Sequence, residues 1–373
     1  MNLSTKIIDD PKSYFYVAPE AQLDDIPDIY KENENQPLLL YIRRPKVNCN
    51  NGILVALIKS ARYDFEQRRW IRNYYAKMKK KEDFSYDLFF LLGSGETLRE
   101  ELTAEGEEHD DLIIGDFVDN YENLPLKTFL GFQFFAEFCY PQKKIVIFHD
   151  SDAFVLVPDI LKDYRAQWKQ AEATEPWARP AYLTDVSVYC IKGQTIPTKA
   201  DFNSFPMGIA KTYTSKWFNW YSDWQPKYAI PRYCNGNCKS LTGEAAYKIW
   251  TEAQRTNRRT MRIEDKFYLG VLRKKAGIPD NRVVPVTSVV SPGNDEFNGF
   301  SRCVHISDAT YYINATMGPK NPAGEFTVLS GKKANSSELM EFVADLYLSG
   351  KWMTPPKGFI YGHGYGNHIL AKT

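Results

Sequence analysis

Apolar runs of strand length recur along the first half of the chain, and segments with helical spacing separate them. Ile53-Leu54-Val55-Ala56-Leu57-Ile58 contains no polar residue and reads as a buried strand. Phe65 to Lys79 has helical spacing and ends in a lysine run. Tyr86 to Leu92 is strand-like and stops at Gly93-Ser94-Gly95. Thr97 to Glu107 reads as a polar helix, Leu112 to Ile114 as a short strand, Leu124 to Phe138 as a helix and Ile145 to Phe148 as the next strand. This alternation predicts an α/β fold, a mostly parallel central sheet with helices on both faces. In such sheets ligands collect at the carboxyl ends of the strands.

The rest of the chain is less regular. Residues 1 to 48 are polar and punctuated by proline, and read as an irregular lead-in. Beyond residue 155, Leu156 to Ala171 looks helical and Tyr182 to Ile191 reads as a strand. Trp217 to Trp224 is an aromatic cluster, and Leu241 to Gln254 and Asp265 to Lys275 read as helices. Gly358 to Asn367 reads as a loop.

Composition narrows the function. Across 373 residues the net charge is +1, so no basic imbalance argues for nucleic acid. No apolar run approaches the about 18 residues of a membrane span, and Met1 to Asp10 lacks the apolar core of a signal peptide. Six cysteines allow either three disulfides or buried free thiols. Sequons at Asn2, Asn314 and Asn335 lean slightly toward a secretory lumen.

Four blocks and one short run carry candidate chemistry. Asp150-Ser151-Asp152 follows the apolar Ile145-Val146-Ile147. At strand spacing its two carboxylates share one side, where they repel unless a cation lies between them. Oxygen ligands of this kind suit a hard divalent ion. Ser60 to Arg72 opens a helix whose Arg68 and Arg72 share a face, and guanidinium forks suit diphosphate oxygens. An exposed basic face is the plainer reading. Asp116 to Thr128 leads acid-rich residues into a helix start, and Lys127 there could reach a phosphate. Pro231 to Cys238 places Gly236 between Asn235 and Asn237 in a tight turn beside Cys234 and Cys238, which suit distant disulfide partners better than zinc. Glu264 and Asp265 open a helix, as a capping pair or with one of them as a general base.

In their order and spacing, these blocks resemble the β-1,3-galactosyltransferase-like glycosyltransferases, with the fringe proteins as distant relatives. The resemblance runs from about Ile53 to Gly270. It rests on Arg68-Arg69-Trp70-Ile71-Arg72, Phe89 to Gly93, Asp116 to Leu124 with Lys127-Thr128, Asp150 to Val155, Tyr233 to Gly236, and Glu264-Asp265. Asp116 to Thr128 is the most specific. The chain departs from the family pattern at Ser151, where the middle Asp of the acidic motif stands, at Phe148-His149, at Lys239 in place of Tyr, and at Lys266 in place of Val.

The resemblance implies a GT-A type nucleotide-sugar transferase fold, a single domain over 49–373. Its nucleotide-binding half would be 49–155 and its acceptor-binding half 156–373. It implies inverting transfer of galactose or N-acetylglucosamine from UDP-Gal or UDP-GlcNAc to a glycan hydroxyl on a glycoprotein or glycolipid, through a β-1,3 linkage, in the Golgi lumen. The expected cofactor is Mn²⁺, held by Asp150, Asp152 and His305, with His363 as the alternative histidine. Ser60, Arg68, Arg72, Lys127, Asp150 and Asp152 are the expected donor-binding residues. Asp265 is the expected base, with Glu264 beside it. A non-catalytic glycan-binding or accessory relative is the alternative. A cytosolic nucleotide-binding protein is a third reading, and it needs reduced cysteines.

Overall fold

A computed structural model describes residues 28–31, 33, 35–46, 49, 51–82, 85–143, 145–161, 164, 186–190, 231–234, 238–257, 263–285, 303–305, 340–341, 344–345 and 347–349. The aromatic cluster 217–224, the glycine-rich stretch 358–367, His363 and the three sequons lie outside them.

An eight-stranded sheet runs in the order β1-β4-β3-β2-β5-β8-β7-β9. Its strands are β1 (Tyr41–Arg43), β2 (Leu54–Lys59), β3 (Tyr86–Ser94), β4 (Leu112–Val118), β5 (Ile145–Asp150), β7 (Val188–Cys190), β8 (Cys238–Thr242) and β9 (Val283–Pro285). The centre, β4-β3-β2-β5, is parallel, and antiparallel β1 and β8 flank it. A separate ribbon pairs β6 (Ala153–Val155) with β10 (Cys303–His305). The α/β, GT-A type expectation is met.

Every residue of β2 is buried. Alternate side chains feed two cores on opposite faces of the sheet. Val55 and Leu57 pack with Phe129, Phe132, Ile249 and Trp250, whereas Leu54, Ala56 and Ile58 pack with Trp70, Ile71 and Tyr74. Helix α1 (Phe65–Glu82) therefore covers one face. Helices α3 (Leu124–Phe134) and α4 (Gly243–Ala253) cover the other. Each fully buried Leu, Ile or Phe here stabilises the fold by about 1.5–3 kcal/mol. Helix α2 (Arg99–His109) lies between β3 and β4 in the chain.

Several boundaries move. Part of the lead-in is ordered, because β1 adds an edge strand to β4 and Asp28–Lys31 forms a helical turn. The expected 112–114 strand extends to Val118. The helix from Leu124 ends at Phe134 and continues as a π-helix, Phe135–Cys139. Leu241 and Thr242 belong to β8 rather than to the helix after it. There the Thr242 hydroxyl accepts from the Ala245 N–H and caps α4, so a cap signal read as helix interior is a helix start.

All six cysteines pair, as Cys49–Cys139, Cys190–Cys234 and Cys238–Cys303. The third bond ties β8 to the β6–β10 ribbon.

Candidate active site

The strand ends assemble a chain of buried charges. Lys59 closes β2 in register with Asp150, which closes β5. Adjacent parallel strands project in-register side chains to the same face, so the two meet. Lys59 Nζ lies 2.9 Å from Asp150 Oδ1 and donates to Glu264 Oε1 at 2.6 Å. Lys239, opposite Phe148 on β8, donates to both Glu264 oxygens at 2.7 Å. The Thr128 hydroxyl donates to the same carboxylate at 3.2 Å. Although burial alone would raise it, the two ammonium groups hold Glu264 down at about 2. Glu264 is thus a saturated acceptor, bridging the start of the 264–275 helical segment to β2, β8 and α3.

Asp265 stands beside it, nearly buried, with one oxygen accepting from the Lys266 N–H at 2.8 Å. The half-exposed Tyr121 reports how close these groups lie. Burial and the carboxylates of Asp265, Glu264 and Asp150 push its phenol up to about 12, and Lys59 opposes them. Burial pulls the Lys266 ammonium down to about 8, with Asp265 opposing.

A second network shapes the turn after β2. Arg68 is fully buried. Its Nε and Nη2 donate to Glu105 of α2 at 2.8 and 2.6 Å, and Nη1 donates to Ser60 Oγ and Ala61 O at 2.9 and 2.8 Å. Arg72 donates to Asp111 at 2.7 and 2.8 Å and to Glu105 at 2.8 Å. Both guanidiniums of the expected diphosphate-binding pair are thus engaged by carboxylates, Arg68 by Glu105 and Arg72 by Asp111 and Glu105. Lys127 is likewise buried, donating to Ser60 O at 2.7 Å and Asp119 Oδ1 at 2.8 Å. Asp119 Oδ2 accepts from the Gly93 N–H at 2.8 Å. A Cβ on Gly93 would stand 2.7 Å from Phe117 O, so only glycine allows this closeness of β3 and β4. Ser60, Arg68 and Lys127 are brought together, then, as one scaffold around the Ser60–Asp64 turn.

The acidic run differs from a plain strand. β5 ends at Asp150, Ser151 and Asp152 form a turn, and β6 begins at Ala153. A turn, rather than alternation along one strand, sets the relation of Asp150 to Asp152. Both are half-buried, whereas Ser151 is buried. The Ser151 hydroxyl donates to Asp64 Oδ2 at 2.8 Å, and Asp64 also accepts from the Ala61 N–H. A carboxylate at 151 would face that of Asp64, so serine fits this turn. His305 closes β10 with its backbone paired to Ala153, next to Asp152, and its side chain lies outside the described residues.

Sequence reasoning missed Lys59, and it took Lys239 only as a departure. The available signal was a lysine ending an otherwise apolar strand, next to a strand that ends in aspartate.

Acid should unravel these groups in two steps. Burial holds the His149 imidazole down at about 4 from its ordinary 6.5, so stability present above 6.5 is lost as pH falls toward 4. Glu264, depressed from 4.5 to about 2, loses its contribution between those values. Thermal melts across pH should therefore decline in both windows. His149→Gln should remove the upper decline and leave the lower one. An unchanged upper branch in that variant would assign it to other groups.

The chain thus has an α/β sheet of GT-A type with carboxylates and buried lysines gathered at its strand ends. The chain belongs to the galactosyltransferase family, whose model matches residues 66–283. It is 27% identical over 246 residues to human beta-1,3-galactosyltransferase 5, covering 64% of this chain and 67% of that protein. The match to the Pan paniscus protein of the same name is also 27%, covering 69% of it. Mouse beta-1,3-galactosyltransferase 1 is 28% identical over 235 residues, 62% of this chain and 63% of that protein. Among the described residues no helix is long and apolar enough to cross a membrane.

Proposed function

We propose that this glycosyltransferase moves galactose or N-acetylglucosamine from a UDP-sugar to a glycan hydroxyl with inversion, forming a β-1,3 linkage. The observation that carries this reading is the gathering of Lys59, Asp150, Glu264, Asp265 and Tyr121 at the carboxyl ends of β2 and β5. Oxygen donors at a half-exposed turn suit a hard divalent cation, and Asp150 and Asp152, with His305 nearby in the chain's pairing, would hold Mn²⁺. Such an ion supplies charge neutralisation to a diphosphate leaving group.

The chain's own residues divide the remaining work. Asp265 takes the acceptor proton as the hydroxyl oxygen bonds to the anomeric carbon and the bond from that carbon to the diphosphate oxygen breaks. Glu264 stays ionised and positions Lys59. The Ser60–Asp64 turn, braced by Arg68 and Lys127, shapes the donor side. Three disulfides suit the oxidising lumen of the secretory pathway.

A panel of UDP-sugars and glycan acceptors, read by acceptor-dependent UDP release, tests the reading. UDP-Gal or UDP-GlcNAc should support release with Mn²⁺ present. Silence across the panel, in folded protein, would favour the non-catalytic glycan-binding or accessory relative.

A further inference from the structure

We propose that Lys239 is a positioning residue that sets the divalent-cation affinity of Asp150, acting through Glu264 and Lys59. This rests on the reading of Asp150 as a metal ligand given above.

The four groups alternate in sign. Lys239 holds both oxygens of Glu264 at 2.7 Å, Glu264 Oε1 holds Lys59 at 2.6 Å, and Lys59 reaches Asp150 Oδ1 at 2.9 Å. Lys239 and Lys59 are nearly fully buried, as is Glu264, so water screens little of their interaction. Asp150 is the outermost member, with its side chain 31% exposed.

Lys59 divides its attraction between two carboxylates. While Lys239 neutralises Glu264, less of the Glu264 charge is left to hold Lys59, which stays close to Asp150. Any cation arriving at Asp150 then competes with an ammonium already there. Without the Lys239 charge, Glu264 has Lys59 as its one cationic partner among the described residues and draws it inward. Asp150 is freed in proportion. The loss of a nearby positive charge also acts in the same direction.

The experiment is Mn²⁺ binding to the whole purified chain, read by the electron paramagnetic resonance signal of free Mn²⁺, without substrate. Lys239→Met and Lys239→Gln should each bind Mn²⁺ about tenfold more tightly than the wild type. Lys239→Arg, which keeps charge and donors, should stay close to the wild type. In a Lys59→Met background the Lys239→Met gain should shrink to about twofold or less, because the effect passes through Lys59. Melting curves identify the folded variants. A folded Met or Gln variant with wild-type affinity overturns the proposal and leaves the metal reading standing. A gain that persists in full without Lys59 overturns the route through it. A wild-type chain that binds no Mn²⁺ overturns both readings together.

Discussion

Asp265→Asn should lose sugar transfer by ~10²–10⁴-fold while still binding UDP. The two adjacent acids look interchangeable in sequence, and their surroundings part them. Glu264 accepts from two lysines and a threonine and is held down at about 2, far from the pH at which a base works best. Asp265 has one oxygen on a backbone N–H, and its charge helps to raise the phenol of the half-exposed Tyr121. Glu264→Gln should therefore act mainly through structure, since it leaves Lys59 and Lys239 without their shared counter-charge. The check is single-turnover transfer for both variants beside UDP binding by calorimetry. If Asp265→Asn transfers normally, the base lies elsewhere. If Glu264→Gln loses transfer with its melting temperature intact, the roles are reversed.

The largest effect on stability should come from Arg68→Met, at ~3–5 kcal/mol. Removing one partner of a buried ion pair costs more than the pair contributes, because the other charge remains buried. Here the stranded group is Glu105, about one-tenth exposed, with Arg72 as its remaining cation among the described residues. Ser60 Oγ and Ala61 O lose their donor in the same change. Melting followed by circular dichroism should show a drop on the order of 10 °C. Arg72→Met should cost less, since Arg72 is partly exposed and Arg68 would still hold Glu105. A drop below ~2 °C for Arg68→Met would mean that the Ser60–Asp64 turn is held by other contacts.

Both changes touch residues that were visible as motifs before their jobs were. Arg68 and Lys127 were legible as cations near strand ends, and the structure turns both inward as braces. The reason is pairing: Glu105 engages Arg68 and Asp119 engages Lys127, across 37 and 8 positions of chain that spacing does not reveal. Ser151 was legible as a missing acid, and its partner Asp64 lies 87 positions away. Lys59 went unread because its meaning depends on register. Only when β2 pairs with β5 does a strand-ending lysine meet a strand-ending aspartate.

By itself the sequence determined the alternation of strands and helices, because short uninterrupted apolar runs such as Leu54–Ile58, set between helical patterns, are satisfied inside a sheet covered on both faces. It also determined the order of the acidic and basic blocks, and with them the family. Tertiary structure decided which charges meet. Pairing of β5 with β2 on one side and β8 on the other buries Lys59, Lys239 and Glu264 against one another, and buried charges must find partners. Asp150, half-buried, is the outermost member of that network, and the half-exposed Tyr121 lies close to it.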